Sequence, residues 1–258
     1  MPSSEPPAIL MERLSFGFGK RPVLKELDIS IPAGQVVALA GSNGAGKTTL
    51  LSVIAGGLQP QTGELLLNGR TCAGWGAARV ARHGVTRTFQ DLRLCAALSP
   101  VDHLLLSYRE VRGAAIPSAW FRRFWIQEER LRRAKALSLL GEFGFDEATA
   151  DAPLHGLSYG QQKMVAFAAA VTSGANVLLL DEPTSGLSDL DTERIVVHLA
   201  KIRGCGITVI LIEHDLAVMR RCADRAMLLD GGRVELDGAT EDVLSETKFQ
   251  EVIFGHVK

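Results

Sequence analysis

One glycine-rich segment, residues 41–48 (GSNGAGKT), constrains the fold of this chain more than any other feature of the sequence. It fits the pattern GxxxxGK[ST], with a strand-length apolar block (VVALA, residues 36–40) before it and a helix-forming stretch after it. Glycines let a backbone wrap an anion without Cβ clashes, so that several amide N–H groups converge on it. A helix that begins after Gly46 adds the positive end of its dipole. The segment therefore predicts a phosphate-binding loop at the end of a buried strand.

The residue types of this loop match the needs of a nucleoside triphosphate. Lys47 is expected to reach the β and γ phosphates, and Thr48 to offer its hydroxyl to Mg²⁺. The other residues assigned to the nucleotide site are Gly41, Ser42, Asn43, Gly44, Ala45, Gly46 and Thr49. A glycine-rich turn without a ligand is the alternative, and the strand and helix on either side favour phosphate binding.

Two further apolar blocks end in polar residues. Residues 177–180 precede Asp181 and Glu182, and residues 207–212 precede a Glu-His-Asp triplet that contains His214. Such blocks suit parallel strands buried on both faces, whose carboxyl ends share one edge of a sheet. Neighbouring strand residues point in different directions, so one carboxylate can hold Mg²⁺ through water while the other approaches an attacking water. Solvated strand ends are the alternative for these residues.

The remaining sequence completes an α/β architecture. Residues 9–40 alternate short apolar runs with turns, which suits half-buried antiparallel strands, and residues 226–229 followed by Asp-Gly-Gly predict a strand and hairpin. Residues 93–157 have helical periodicity and no β-branched runs. We expect a single domain in which residues 9–92 and 158–258 form the nucleotide-binding core and residues 93–157 form a helical subdomain.

Composition excludes several classes of protein. The formal net charge of −1 argues against nucleic acid as the main partner. The cysteines are scattered without zinc-site spacing, which favours free thiols in a reducing compartment. The start of the sequence has no secretory signal pattern, and the longest uncharged stretch, residues 164–180, is too short and too interrupted to span a bilayer.

Taken together, the motifs resemble the ATP-binding subunit of an ABC transporter. The matching segments are GSNGAGKT at 41–48, TFQD at 88–91, LSYGQQ at 157–162, VLLLDE at 177–182, SGLS at 185–188 and IEHD at 212–215. The resemblance covers nearly the whole chain. It implies a P-loop NTPase (RecA-like) core with an antiparallel β subdomain and an inserted α-helical subdomain, and an ATPase that requires ATP and Mg²⁺.

The same resemblance implies roles for individual residues. Glu182 would be the general base and Asp181 the magnesium residue, together with Thr48 and Gln90. Gln90 would also sense the nucleotide, His214 would contact the γ-phosphate, and Phe18 would stack on adenine. Ser158, Gly160 and Gln161 would bind the ATP of a partner cassette. Ser188 departs from the family pattern, in which Asp is common, and Asp189 is a possible substitute.

Within the family, the sequence around TFQD and the long segment before LSYGQQ most resemble branched-chain amino acid importer ATPases of bacteria. This implies membrane-spanning permease subunits, a second cassette (identical or a sister chain), an indirectly coupled periplasmic binding protein, and a place at the cytoplasmic face of the membrane. A non-transport ABC ATPase, or an importer subunit for urea or amides, is the alternative. Residues 92–101 are expected to receive a permease helix, and the aromatic and basic residues 120–125 to form either an ordinary amphipathic helix or a membrane contact.

Overall fold

The structure is a computed structural model that describes residues 6–88, 94–108 and 122–255, with side chains from residue 127 onward in the last range. The chain divides into two compact units. The first comprises Met1–Gln90, Asn176–Ser185 and Val196–Lys258, and the second comprises Asp91–Ala175 and Gly186–Ile195. Strands and helices are numbered below in chain order.

The first unit contains a four-stranded antiparallel sheet in the order β2-β1-β4-β5. Its strands are β1 (Ile9–Phe18), β2 (Arg21–Ile31), β4 (Thr62–Leu67) and β5 (Arg70–Thr71). Apolar side chains of β1 and β2 that alternate with exposed ones face the core, as residues of a half-buried strand do. The antiparallel strands expected in this part of the chain are thus confirmed for residues 9–18 and 21–31, while residues 36–40 belong to the other sheet.

A six-stranded sheet in the same unit has the order β10-β9-β3-β8-β7-β6. The strands are β3 (Val36–Ala40), β6 (Val85–Arg87), β7 (Val177–Asp181), β8 (Thr208–Ile212), β9 (Arg225–Asp230) and β10 (Arg233–Ala239). All pairs are parallel except β9 with β10, which form the expected hairpin. Every residue of β3, β7 and β8 is buried, which confirms the prediction of strands covered on both faces.

Helices complete the first unit and leave the carboxyl ends of the parallel strands to loops. They are α1 (Lys47–Ile54), α2 (Ala77–Arg82), α8 (Leu216–Cys222), α9 (Thr240–Ser245) and α10 (Thr247–Phe254), while α7 (Asp189–Arg203) has residues in both units. One hydrophobic cluster contains core residues of both sheets and of α1. The loops after β3, β7 and β8 therefore begin from a rigid, buried platform.

The second unit is helical. It contains α3 (Pro100–Ser107), α4 (Arg122–Glu142), α5 (Glu147–Asp151), a 3₁₀ turn (Leu154–Gly156) and α6 (Tyr159–Thr172). The rings of Phe143 and Phe167 pack edge to face with centroids 5.8 Å apart, and the hydroxyl oxygens of Ser107 and Thr172 lie 2.6 Å apart. The sequence analysis expected residues 158–258 in the nucleotide-binding core, whereas α6 lies in the second compact unit.

The longest uncharged stretch of the sequence is divided between two elements. Helix α6 ends at Thr172, and β7 begins at Val177, so the interruption expected from the sequence is present. Among the helices of the described residues, none has the length and apolarity needed to cross a membrane.

Candidate active site

A cavity of about 620 Å³ opens beside the glycine-rich loop, which connects β3 to α1. The residues in its wall that were predicted from the sequence are Phe18, Asn43, Gly44, Gly46, Lys47, Thr48, Thr49 and Glu182. The cavity is open to solvent and large enough for a small-molecule ligand. The structure thus brings together the loop, a candidate aromatic residue and one of the two adjacent carboxylates.

The path of the loop depends on glycine at two positions. Gly41 has φ +152°, and a Cβ there would lie 2.1 Å from the carbonyl oxygen of Leu229. Gly46 has φ +106° and caps the N-terminus of α1, where a Cβ would lie 2.9 Å from a methyl group of Leu24. Between them, the Ala45 amide donates to the Ser42 carbonyl at 3.2 Å. The loop is therefore closed by its own backbone, with Gly46, its third glycine, at the start of the helix.

Lys47 lies inside this loop and is only 7% exposed. Its ammonium group donates to the carbonyl oxygens of Gly41 at 2.6 Å and Ser42 at 3.0 Å. Burial lowers the pKa of Lys47 from its ordinary value, and the nearby carboxylates of Glu182 and Asp181 act in the opposite direction. The cation is thus held at the centre of the loop, close to both carboxylates of the Asp-Glu pair.

Asp181 is buried and binds a cation of the protein itself. Its Oδ2 accepts from Nη2 of Arg87 at 3.1 Å. Nη1 of the same guanidinium donates to the Ser52 hydroxyl at 2.7 Å, and that hydroxyl donates to the Thr48 carbonyl oxygen at 2.7 Å. Arg87 therefore links the segment that carries Asp181 to the first turns of α1, where Thr48 is exposed.

Glu182 and His214 meet at the ends of neighbouring strands. The Nε2 atom of His214 lies 3.2 Å from Oε1 of Glu182. Glu182 has φ +50°, a left-handed conformation that costs a non-glycine residue roughly 1–3 kcal/mol and concentrates at functional sites. Its amide donates to the carbonyl of Ile212 at 3.0 Å. This backbone bond and the histidine contact fix the carboxylate beside the cavity.

The sequence analysis missed one wall of the cavity. Arg21, Val23 and Lys25 of β2 line it, together with the turn Gly231-Gly232. The Lys25 amide donates to the Gly232 carbonyl at 2.8 Å, and a Cβ on Gly232 would lie 2.3 Å from the carbonyl oxygen of Val23. The glycine pair after a strand was a visible signal, but its closeness to β2 depends on tertiary structure.

Phe18 is at the end of β1 and is 56% exposed. It contacts Phe16 edge to face, with ring centroids 5.0 Å apart. The ring thus packs against a neighbouring aromatic side chain, and the residue remains accessible from the cavity that it lines.

The turn LSYGQQ belongs to the second compact unit and begins helix α6. The Ser158 hydroxyl accepts from the Gln161 amide at 3.2 Å, and the Gln161 side-chain oxygen accepts from the Ser158 amide at 2.9 Å. This capping box explains the Ser and the first Gln of the segment in structural terms. Gly160 has only the Leu187 side chain within 3.4 Å of an added Cβ, so a side chain there would crowd the following loop.

Ser188, which departs from the pattern implied by the resemblance, contacts the start of the following helix. Its hydroxyl donates to Oδ2 of Asp191 at 2.9 Å and accepts from the Asp191 amide at 3.2 Å. It therefore caps helix α7, whose first residue is Asp189. Nη1 of Arg194 holds the other oxygen of Asp191 at 2.9 Å, so the start of this helix is ordered locally.

Gln90, predicted to bind metal and to sense the nucleotide, lies outside the described residues. The same is true of Leu92 in the expected permease groove and of the side chains of residues 120–125.

Three comparisons relate this arrangement to known proteins. Residues 24–185 match the sequence profile of the ABC transporter family. A high-affinity branched-chain amino acid transport ATP-binding protein, BraF of Pseudomonas aeruginosa, is 30% identical over 92% of this chain and 93% of its own length. The cobalt import ATP-binding protein CbiO of Rhodobacter capsulatus is 35% identical over 93% of this chain and 81% of its own.

Other relatives are longer. The ribose import ATP-binding protein RbsA of Chromobacterium violaceum is 32% identical over 95% of this chain, which spans only 46% of that protein. Among solved structures, the ADP conformation of MJ1267, an ATP-binding cassette of an ABC transporter, has a TM-score of 0.80 at 26% identity over 98% of this chain and all of its own. A dimeric post-hydrolysis state of the cassette MJ0796 with ADP and Pi has a TM-score of 0.74 at 26% identity, over 90% and 98%.

Proposed function

The chain belongs to the ABC transporter family, as an ATP-binding cassette of the kind that hydrolyses ATP, and we propose that it powers an importer of branched-chain or related amino acids. The observation that carries this proposal is the match to BraF, which extends over nearly the full length of both chains. This chain spans less than half of the length of the ribose import relatives. The extent of the BraF match is therefore what favours branched-chain or related amino acids as the solute.

The geometry of the cavity supports a separate role in ATP hydrolysis for each of its main side chains. Lys47 and the amides of the glycine-rich loop bind the phosphates, and Phe18 supports the adenine ring. Glu182 accepts a proton from the attacking water, and His214, 3.2 Å from Glu182, orients that carboxylate and binds the γ-phosphate. Phosphoryl transfer needs little covalent help from a protein, so positioning and charge stabilisation supply most of the rate enhancement.

The residues near Asp181 fit a magnesium site completed by the nucleotide. Thr48 offers an exposed hydroxyl and Asp181 a carboxylate, both hard oxygen donors. In the part of the chain that the structure describes, no three His, Cys, Asp or Glu side chains form a metal cluster, and Mg²⁺ commonly takes only one or two protein carboxylates beside phosphate and water. Bound there with Gln90 as a further ligand, Mg²⁺ would neutralise charge on the phosphates.

Hydrolysis in this proposal requires a second cassette. Ser158, the Gly160 amide and the N-terminus of α6, with Gln161 as its cap, contribute an anion site for the ATP held by the partner cassette, which is identical or a sister chain. The pair sits on permease subunits at the cytoplasmic face of the membrane, and a periplasmic binding protein delivers the solute. Closure on ATP and reopening after hydrolysis pass movement to the permease.

Relatives named for other solutes match this chain as well. CbiO and the ribose import proteins, whose names give cobalt and ribose, match this chain at similar identity. Urea or an amide is a further candidate, and a non-transport ABC ATPase is the competing class. The transported solute does not contact a cassette, so the catalytic site does not distinguish among these.

Reconstitution tests the proposal directly. The chain would be combined in proteoliposomes with the permease and binding proteins encoded beside it, and ATP hydrolysis would be measured with leucine, isoleucine or valine, and with ribose, Co²⁺ or urea. Stimulation by branched-chain amino acids alone supports the proposal. Stimulation by another solute refutes the amino acid assignment, and a chain that hydrolyses ATP without any permease encoded nearby points to a non-transport machine.

A further inference from the structure

A buried carboxylate beside the catalytic pair has no role in the functions discussed so far. Glu213 follows β8 directly and is only 3% exposed. Its Oε1 accepts from the Thr184 amide at 3.0 Å and from the Thr184 hydroxyl at 2.6 Å, and its Oε2 accepts from the His214 amide at 3.2 Å. Burial of a carboxylate is costly unless hydrogen bonds replace its water shell, so a side chain held this way forms a specific connection.

The two groups that Glu213 binds belong to loops that carry the catalytic side chains. Thr184 lies two residues after Glu182 on the loop that follows β7, and His214 lies two residues after the end of β8. The strands themselves are paired only as far as Asp181 with Ile212, and the Glu182 amide adds one bond to Ile212. Beyond this point Glu213 continues the connection between the loops through its side chain.

The hydrogen bonds of Glu213 support the loop that carries the strained backbone of Glu182. Glu182 adopts φ +50°, and strained conformations of this kind persist only where the surroundings hold them. Its carboxylate must also remain 3.2 Å from Nε2 of His214. Small shifts of reacting groups can cost a large factor in rate, so a contact that fixes both loops controls the rate without touching the nucleotide.

We propose that Glu213 is a positioning residue, which binds Thr184 and the His214 backbone and so holds Glu182 and His214 in register for ATP hydrolysis. The inference rests on the proposed roles of Glu182 and His214 and extends them to a residue outside the cavity wall. It requires a carboxylate, because all three partners donate hydrogen bonds. An amide would place an N–H₂ group against one of the two backbone N–H groups.

Paired substitutions test this in the reconstituted assembly, which contains the permease and both cassettes. Glu213→Gln and Thr184→Val each remove part of the connection, and each should lower kcat by roughly 10- to 100-fold while the KM for ATP changes less than about twofold. Thr184→Ser keeps the hydroxyl and should restore kcat to near the wild-type value. Because both changes break the same contact, the double variant should be little slower than the slower single variant.

Thr208→Val is the matched control. Thr208 is 1% exposed at the opposite end of the same strand, and its hydroxyl accepts from the Gly34 amide at 3.0 Å. Loss of this hydrogen bond should lower the melting temperature and leave kcat unchanged. If Thr208→Val slows hydrolysis as much as Glu213→Gln does, the effect is general destabilisation and the inference is wrong.

The remaining outcomes separate this inference from the proposed function. A folded Glu213→Gln protein with wild-type kcat overturns the inference alone, provided that Glu182→Gln abolishes hydrolysis. If Glu182→Gln hydrolyses ATP normally, the proposed catalytic roles fail and the inference fails with them. Should Glu213→Gln not fold, the comparison of Thr184→Val with Thr184→Ser decides, and equal kcat for those two variants overturns the inference.

Discussion

Nη2 of Arg87 donates to Oδ2 of Asp181 over 3.1 Å, and these side chains are only 9% and 2% exposed. The same guanidinium donates to the Ser52 hydroxyl at 2.7 Å. One buried cation thus connects strand β6, strand β7 and helix α1. The carboxylate proposed to support Mg²⁺ is therefore oriented by the protein itself.

Arg87→Met should be strongly destabilising. Removal of the cation leaves Asp181 buried without its ionic partner, which typically costs about 3 kcal/mol or more. Urea denaturation would measure the loss. Ser52→Ala is the control, since it removes the hydroxyl contacts with Arg87 and Thr48 but keeps the ion pair, and it should cost about 1 kcal/mol. Equal losses for the two variants would contradict a dominant role for the ion pair.

Glu182→Gln should separate binding from hydrolysis. The amide keeps the size of the side chain but cannot accept a proton from water, so kcat should fall at least about 100-fold while ATP affinity is retained and ATP-bound dimers accumulate. Phosphate release and size-exclusion chromatography with ATP measure the two effects. Glu64→Gln, at an exposed position of β4, should hydrolyse ATP normally. Wild-type turnover by Glu182→Gln would show that the base has been assigned wrongly.

Gly41→Ala should disrupt the phosphate-binding loop. The new methyl group would meet the Leu229 carbonyl at 2.1 Å, with φ at +152°, and the combined strain and displacement should cost about 3 kcal/mol. The melting temperature and the affinity for a fluorescent nucleotide should both fall. Gly141→Ala within α4, where an added Cβ meets nothing within 4 Å, should be neutral or slightly stabilising. Normal nucleotide affinity in Gly41→Ala would mean that this backbone path is not required.

Ser158→Arg should block the partner-facing site without affecting the cavity of its own chain. ATP binding by the monomer should be unchanged, while dimer closure and hydrolysis should be lost because a long side chain replaces the cap of α6. Equilibrium nucleotide binding and ATP-dependent dimerisation distinguish the two effects. Ser99→Ala removes a comparable capping box from α3 at a cost of about 1 kcal/mol, and it should dimerise and hydrolyse normally. If Ser158→Arg dimerises at the same ATP concentration as the wild-type chain, the predicted assembly is contradicted.

The strands and the glycine-rich loop were predictable because their signals are local. The apolar blocks before residues 41, 181 and 213 are read directly from neighbouring residues, and they became β3, β7 and β8. Buried parallel strands of this kind leave little freedom in where their ends lie. For this reason the sequence also placed Glu182 and His214 at one edge of one sheet.

The contacts that adjust the site were not predictable, since they join residues far apart in the chain. Arg87 and Asp181 are 94 positions apart, and Thr184 and Glu213 are 29 apart. A charge or hydroxyl in a sequence does not reveal its partner. The left-handed backbone of Glu182 was equally hidden, because nothing in the residue type favours φ > 0.

The contact of Gly232 with β2 has a consequence for how ligand binding can be followed. The Lys25 amide of the antiparallel sheet donates to the Gly232 carbonyl in the β9–β10 turn, and both residues line the cavity. Nucleotide in the cavity should therefore slow hydrogen–deuterium exchange at Lys25, which lies outside the glycine-rich loop. This single amide would report binding at the point where the two sheets are joined.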